Sequence, residues 1–150
     1  MDVTAYDSTA ASPQPVKLGS VVDSIWASGF KFSEDRAIQV SSRDRLADAI
    51  VSIGVSKTVA AIDKGLPLLG EMMRSARKTR MMGSATLDIA YVATGRLDAY
   101  IESQISLWDI AAGLLMVELA GGVVDLQPHA TVADKFSILA SSGKIAFSPL

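Results

Sequence analysis

Three places in this 150-residue chain combine residue types and spacing that could do chemistry. Asp109 opens a run that is otherwise almost wholly apolar as far as Gly121-Gly122, so its carboxylate stands at a helix start. Two readings fit it. One is a plain N-cap that satisfies orphan backbone N–H groups and favours the helix dipole. The other is a carboxylate at a strand-to-helix junction, where open α/β sheets put their ligands. Glu102, at the end of the preceding strand-like run, either faces solvent or reaches the same crevice. Gly83-Ser84-Ala85 marks another helix start, whose bare N–H groups and hydroxyl suit an anion or a sugar hydroxyl, or simply cap the helix. A hard cation such as Mg²⁺ wants carboxylate oxygens and takes only one or two from the protein, which makes Asp109 a candidate donor.

Other reactive types lead elsewhere. His129 is the only histidine, so no histidine metal cluster or catalytic dyad can be built from this chain. It follows Pro128 and reads as a solvated turn residue. Met72, Met73, Met81 and Met82 read as adaptable filler for a core or an interface. Arg74, Arg77, Lys78 and Arg80 form either a small anion patch or a solvated helix end favourably placed on the dipole.

The elements that must carry these residues follow from periodicity. Residues 1–20 are partly irregular, with Ser8 to Pro15 small, polar and proline-broken and a short strand at Val3 to Tyr6. Ser24–Ser28 and Ala37–Val40 are β-prone runs suited to an antiparallel hairpin. Ala49–Ile53 has the length and β-branching of a buried strand. Leu66, Leu69, Met72, Met73 and Ala76 share a helical face, with Pro67 suited to a first turn.

Lys78 to Met82 is a link or strand. Ser84 can cap a helix whose face is Leu87, Ala90, Tyr91 and Thr94 before Gly95 stops it. Leu97–Glu102 alternates as a strand, Asp109–Ala120 is an apolar helix, and Val123–Leu126 and Phe136–Ala140 are strands. A hairpin region followed by β-α-β-α-β-α-β-β predicts one α/β domain over residues 1–150: a layered, mixed sheet with helices.

Composition narrows the function classes. Net charge is −2 with both signs interspersed, so no basic patch invites nucleic acid and no basic amphipathic run invites a membrane surface. There is no cysteine, and the apolar stretch from Ile110 to Val117 is far short of a membrane span. Residues 1–4 have no secretory-signal character. A soluble, cytoplasmic protein is the expectation. Mean hydropathy is high, at +0.32 with 20% charged residues. Either a sheet is covered on both faces or one face awaits a partner, which makes self-association or a complementary chain an expectation.

Trp108-Asp109-Ile110-Ala111-Ala112-Gly113, followed by Glu118-Leu119-Ala120-Gly121-Gly122, resembles the C-terminal signature of the inositol monophosphatase family. Gly83-Ser84-Ala85, Val92-Ala93-Thr94-Gly95 and Asp98-Ala99-Tyr100 through Glu102 are similar to that family's run between substrate loop and signature. A weaker likeness extends from Val3 to about Ile145 and takes in Tyr6-Asp7, Ile25-Trp26-Ala27 and Ile38 to Ser41.

The resemblance implies the C-terminal part of a Mg²⁺-dependent phosphatase of inositol or sugar phosphates. It implies Asp109 as a ligand of the second magnesium, Glu102 as a contact to the polyol, and Gly83, Ser84 and Ala85 as the loop lining the substrate. The family's first-half glutamate, its Asp-Pro-Ile-Asp-Gly-Thr-like motif and its water-activating threonine have no counterpart here; Asp7-Ser8 and Asp63-Lys64 lack the motif. The hairpin turn is altered to Ser33-Glu34-Asp35-Arg36, and the chain stops soon after Lys144-Ile145, where the family adds a helix. One carboxylate cannot hold two Mg²⁺ ions, so the chain alone is expected to bind the metal weakly and to be inactive. The alternatives are a non-catalytic remnant serving as a binding or assembly module, or a relative specific for nucleotide or fructose bisphosphates.

Overall fold

The computed structural model describes Thr4–Tyr6, Pro15–Lys17, Lys31–Phe32 and residues 36–147. Two compact units are present, Met1–Ala37 and Ile38–Leu150. In the first, β1 (Thr4–Tyr6) pairs antiparallel with β2 (Pro15–Lys17), and β3 (Lys31–Phe32) pairs antiparallel with β4 (Arg36–Ala37). The expected strand at Ser24–Ser28, with Ile25-Trp26-Ala27, lies outside the described residues, as do Asp7, the Ser8 to Gln14 loop and Ser33 to Asp35. Ile38 to Val40 is not strand; instead Val40 donates its N–H to the Ala120 carbonyl.

The second unit runs β5 (Ile50–Gly54), α1 (Val59–Ser75), β6 (Lys78–Arg80), α2 (Ala85–Ala93), β7 (Ala99–Ser106), α3 (Leu107–Leu119), β8 (Val123–Pro128) and β9 (Lys135–Ser141). This is the order the periodicity predicts. The strands form one mixed sheet in the order β6-β5-β7-β9-β8, with β6, β5 and β7 parallel and β9 antiparallel to both of its neighbours, β7 and β8.

Alternation of side chains along the strands makes two cores. Val51, Ile53, Ala99 and Ile101 face α1, where Met72 is buried against them. Tyr100, Ile138 and Ala140 face the other way, onto Ile89 and Val92 of α2 and Ile110 and Val117 of α3. Helices therefore pack on both faces of the sheet, α2 and α3 on one and α1 over the parallel strands on the other, while Val123 of β8 stays exposed. Helices α2 and α3 meet closely at Gly113, where an added Cβ would fall 2.6 Å from Ile89 Cγ2. No helix among the described residues is long and apolar enough to cross a membrane.

Helix phases correct the sequence expectations in two places. Helix α1 starts eight residues before Pro67, capped by Thr58, whose hydroxyl accepts from Ala61 N–H at 3.2 Å. Pro67 is thus interior, and it denies a partner to the carbonyl of exposed Asp63, which water can satisfy. The inward residues of α1 are Ala61, Gly65 and Met72, whereas Leu66 and Met73 are exposed. In α2 the buried residues are Asp88, Ile89, Val92 and Ala93, and Leu87 points outward. Small residues and a buried acid had disguised both faces.

One polar junction ties the sheet to the segment before it. Asp98 is fully buried; its Oδ2 accepts from Ile50 N–H at 2.7 Å and from Arg43 Nη1 at 3.0 Å. Its own N–H donates to the Ile50 carbonyl, and its carbonyl accepts from Ser142 N–H. Asp98→Ala removes the acceptor for a buried N–H and a guanidinium at once, and a loss of about 3 kcal/mol is expected. Urea unfolding of the variant measures it; a loss below about 1 kcal/mol would mean water replaces these contacts.

Candidate active site

In the parallel part of the sheet, β5 leads through α1 to β6 on one side, and β6 leads through α2 to β7 on the other. Strand order therefore reverses between β5 and β7, and open α/β sheets form their ligand crevice at such a switch point. A cleft of about 380 Å³ lies there. Gly54 lines it from the end of β5 and Val55 from just after it, Gly83 and Ser84 from the turn before α2, Ala85, Thr86 and Asp88 from its first turn, Tyr100, Glu102 and Ile105 from β7, and Asp109 from α3. All five residues singled out in the sequence, Gly83, Ser84, Ala85, Glu102 and Asp109, meet in this one cleft.

Their settings differ from expectation. Asp109 is not the N-cap of α3; Ser106 holds that position, and Asp109 is the third helical residue, in the first turn and exposed. Ser106 caps by backbone only, its hydroxyl accepting from Lys135 Nζ at 2.6 Å. The Thr86 hydroxyl donates to the Asp109 carbonyl at 2.8 Å, joining the starts of α2 and α3. Ser84 is the N-cap of α2, yet its side chain makes no capping bond, which leaves the hydroxyl and the first-turn N–H groups beside the cleft. Gly83 has φ +74°, a left-handed conformation that turns the chain into the helix.

Glu102 is neither at a strand end nor solvent-facing. It lies inside β7 and is buried, and the Tyr100 hydroxyl donates to its Oε2. After it, the pairing of β7 with β9 shifts between Glu102 and Ile105, an irregularity that re-aims side chains beside the cleft. Burial pushes the Glu102 carboxyl up, the Tyr100 hydroxyl pulls it down, the Asp88 and Asp109 charges push it up, and Lys135 pulls it down. Burial, with the Glu102 carboxyl beside it, also pushes Tyr100 up.

Asp88 is the residue sequence reasoning missed. It is 1% exposed in the first turn of α2, and its Oδ1 is buried without a hydrogen-bond partner. Burial pushes its carboxyl up from the ordinary value of 3.8, with the Ser52 hydroxyl pulling the other way. The available signal was spacing, since Asp88 stands three residues after Ala85 and four before Val92 on an otherwise apolar face.

The cleft so built has three carboxyls and no cationic side chain in its lining. Among the described residues no group of three or more acids or histidines is gathered closely enough to hold a metal ion. Glu102 is committed in part to Tyr100 and Asp88 is enclosed, while Asp109 is exposed at the rim. This donor set is too small for a whole Mg²⁺ site, and Asp109 is its one exposed carboxylate.

The model of the inositol monophosphatase family matches residues 13–147, and the chain belongs to that family. It is 37% identical over 120 residues to an inositol-1-monophosphatase of Mesorhizobium japonicum, covering 76% of this chain and 44% of that protein. It is 41% identical over 91 residues to the Nus factor SuhB of Xylella fastidiosa, covering 60% of this chain and 33% of that one. The solved inositol monophosphatase of Anabaena (Nostoc) superposes with a TM-score of 0.64 at 33% identity, covering 73% of this chain and 44% of the other. The chain thus spans less than half the length of these relatives.

Because Asp88 has its pKa raised by folding, the unfolded chain ionises first as pH rises, and this residue's contribution to stability falls with rising pH. The contribution is full below the ordinary value of 3.8 and is lost as pH rises through the folded value. Asp88→Asn keeps the shape without the charge. It is expected to raise the urea midpoint at pH 7, with the gain shrinking as pH falls towards 4. Equal midpoints at both pH values would show that the carboxyl is not strained by its burial.

Proposed function

We propose that this chain forms the substrate-side wall of a Mg²⁺-dependent phosphatase acting on a polyol or sugar phosphate monoester. The observation that carries the reading is the cleft: it gathers Gly83–Ala85, Glu102 and Asp109, and it has three carboxyls and no cationic side chain in its lining. A phosphate monoester is repelled by such a lining unless a cation enters with it. A hard divalent ion with oxygen ligands suits that need, and Asp109 would hold it. The chemistry such an ion supplies is neutralisation of phosphoryl charge and stabilisation of the leaving oxygen.

The chain's own groups do the rest. The α2 start offers N–H groups and the Ser84 hydroxyl to oxygens of the substrate. Glu102 accepts from a polyol hydroxyl. The remaining metal donors and the water-activating group must come from outside the described residues, as a complementary chain or segment would supply them, so the chain by itself binds Mg²⁺ weakly and is inactive. A second reading, an assembly module without catalysis, is favoured by the incomplete donor set and by relatives named as Nus factors.

Supplying the first half of a related phosphatase distinguishes these readings. Under the enzyme reading, Mg²⁺-dependent release of phosphate from myo-inositol 1-phosphate returns, and Asp109→Asn lowers it by about 100-fold or more. That substitution costs stability only about 0.5 kcal/mol, through the lost charge in the first turn of α3. No hydrolysis from a folded mixture would favour the assembly module, and activity unchanged by Asp109→Asn would remove Asp109 from the metal site.

A further inference from the structure

Glu102 occupies a setting that a carboxylate does not adopt unaided. Asp88 of α2 and Asp109 of α3 repel it, Lys135 of β9 attracts it, and it is buried. Two neighbours fix where it goes. Tyr100, two residues earlier on the same face of β7, is 1% exposed, its ring in the core with Ile89, Ile110 and Ile138. An anchored ring leaves its hydroxyl little freedom, and that hydroxyl donates to Glu102 Oε2. Gly54 of β5 is the register partner of Glu102. A Cβ at Gly54 would collide with Glu102 Oε2 and stand 2.5 Å from the Tyr100 hydroxyl, so the carboxyl–hydroxyl pair lies over the glycine.

We propose that Tyr100 is a positioning residue for Glu102 and that Gly54 is the seat on which the pair rests, leaving one carboxylate oxygen to accept a polyol hydroxyl. This rests on the reading of Glu102 as the polyol contact. Oε2 is committed to Tyr100, whereas Oε1 has no hydrogen bond among the described residues and is not one of the buried unpartnered atoms. A side chain fixed in its bound geometry gives up less freedom when the ligand arrives, and the supporting bond sets which oxygen meets the substrate. Glycine at position 54 is thereby explained by close approach, since any larger residue would push the carboxyl out of place.

The test uses the full chain carrying carbon-13 in its glutamate side chains, with Glu102→Gln identifying the Glu102 carboxyl signal. Tyr100→Phe keeps the ring and removes only the donor. Its melting temperature is expected to stay close to that of the parent, while the Glu102 signal moves and titrates at higher pH. Binding of myo-inositol 1-phosphate in the presence of Mg²⁺ is expected to weaken by about tenfold, the loss of one hydrogen bond to a charged group.

Gly54→Ala should move the same signal by displacing the carboxyl. A Glu102 signal unchanged by Tyr100→Phe overturns the proposal, as does a moved signal with undiminished binding. If the parent chain binds no myo-inositol 1-phosphate even with the first half of a related phosphatase supplied, the phosphatase reading fails instead, and the carboxyl signal still decides whether Tyr100 positions Glu102.

Discussion

The parallel pairing of β5 with β7 is the constraint on which the rest depends. Its register sets Ser52 opposite Tyr100 and Gly54 opposite Glu102, and so puts these four on one face of the sheet. A slip of one residue would send Tyr100 and Glu102 to the α1 side and bring Ala99 and Ile101 into the cleft. Asp98 guards that register, because it binds both the N–H and the carbonyl of Ile50 at the start of β5 while Arg43 meets its charge. The clamp at one end of the strand pair therefore specifies what meets the ligand at the other.

Holding acids in this cleft costs stability. Asp88 and Glu102 are both buried, both have raised pKa values, and Asp88 Oδ1 is unpaired. An apolar core would avoid those penalties. They are tolerated because the opposite core, with Val51, Ile53, Ala99, Ile101 and Met72, is wholly apolar, and because Tyr100 spans the boundary between the α2–α3 core and the site. Destabilising polar groups gathered in one cleft are a common mark of function.

Much of this was legible in the sequence, for stated physical reasons. The β-branched run at Ala49–Ile53 and the glycine stops at Gly95 and Gly121 give the order of strands and helices of the second unit. The site loop and Asp109 stand out as small residues and a carboxylate at helix starts and Glu102 as an acid on a strand-like run, but plain capping or a solvent-facing strand end fits those patterns too, and the family resemblance is what links them as a site. Helix phase was harder to see. In α2 the acid at position 88 occupies an inward position that hydrophobic counting assigns to solvent, which turned the expected face towards Leu87 and hid Asp88. In α1 Pro67 suggests a first turn, whereas the helix starts after Thr58, because a proline is tolerated inside a helix where the carbonyl it leaves unpaired faces water. The role of Gly54 could not be read at all, because a close approach between strands depends on register, which no local pattern records.

The central claim is that the cleft between β5 and β7 is where a polyol phosphate and its cation bind. Mapping amide chemical shifts as myo-inositol 1-phosphate is titrated with Mg²⁺ into the chain tests it most directly, since weak binding suffices. The account predicts that the largest shifts fall on Gly83 to Ala85, Glu102 and Asp109, with Arg43 and Asp98 at the far end of the strands unmoved. Shifts centred on any other surface, or the same map from Asp109→Asn at the same affinity, would contradict it.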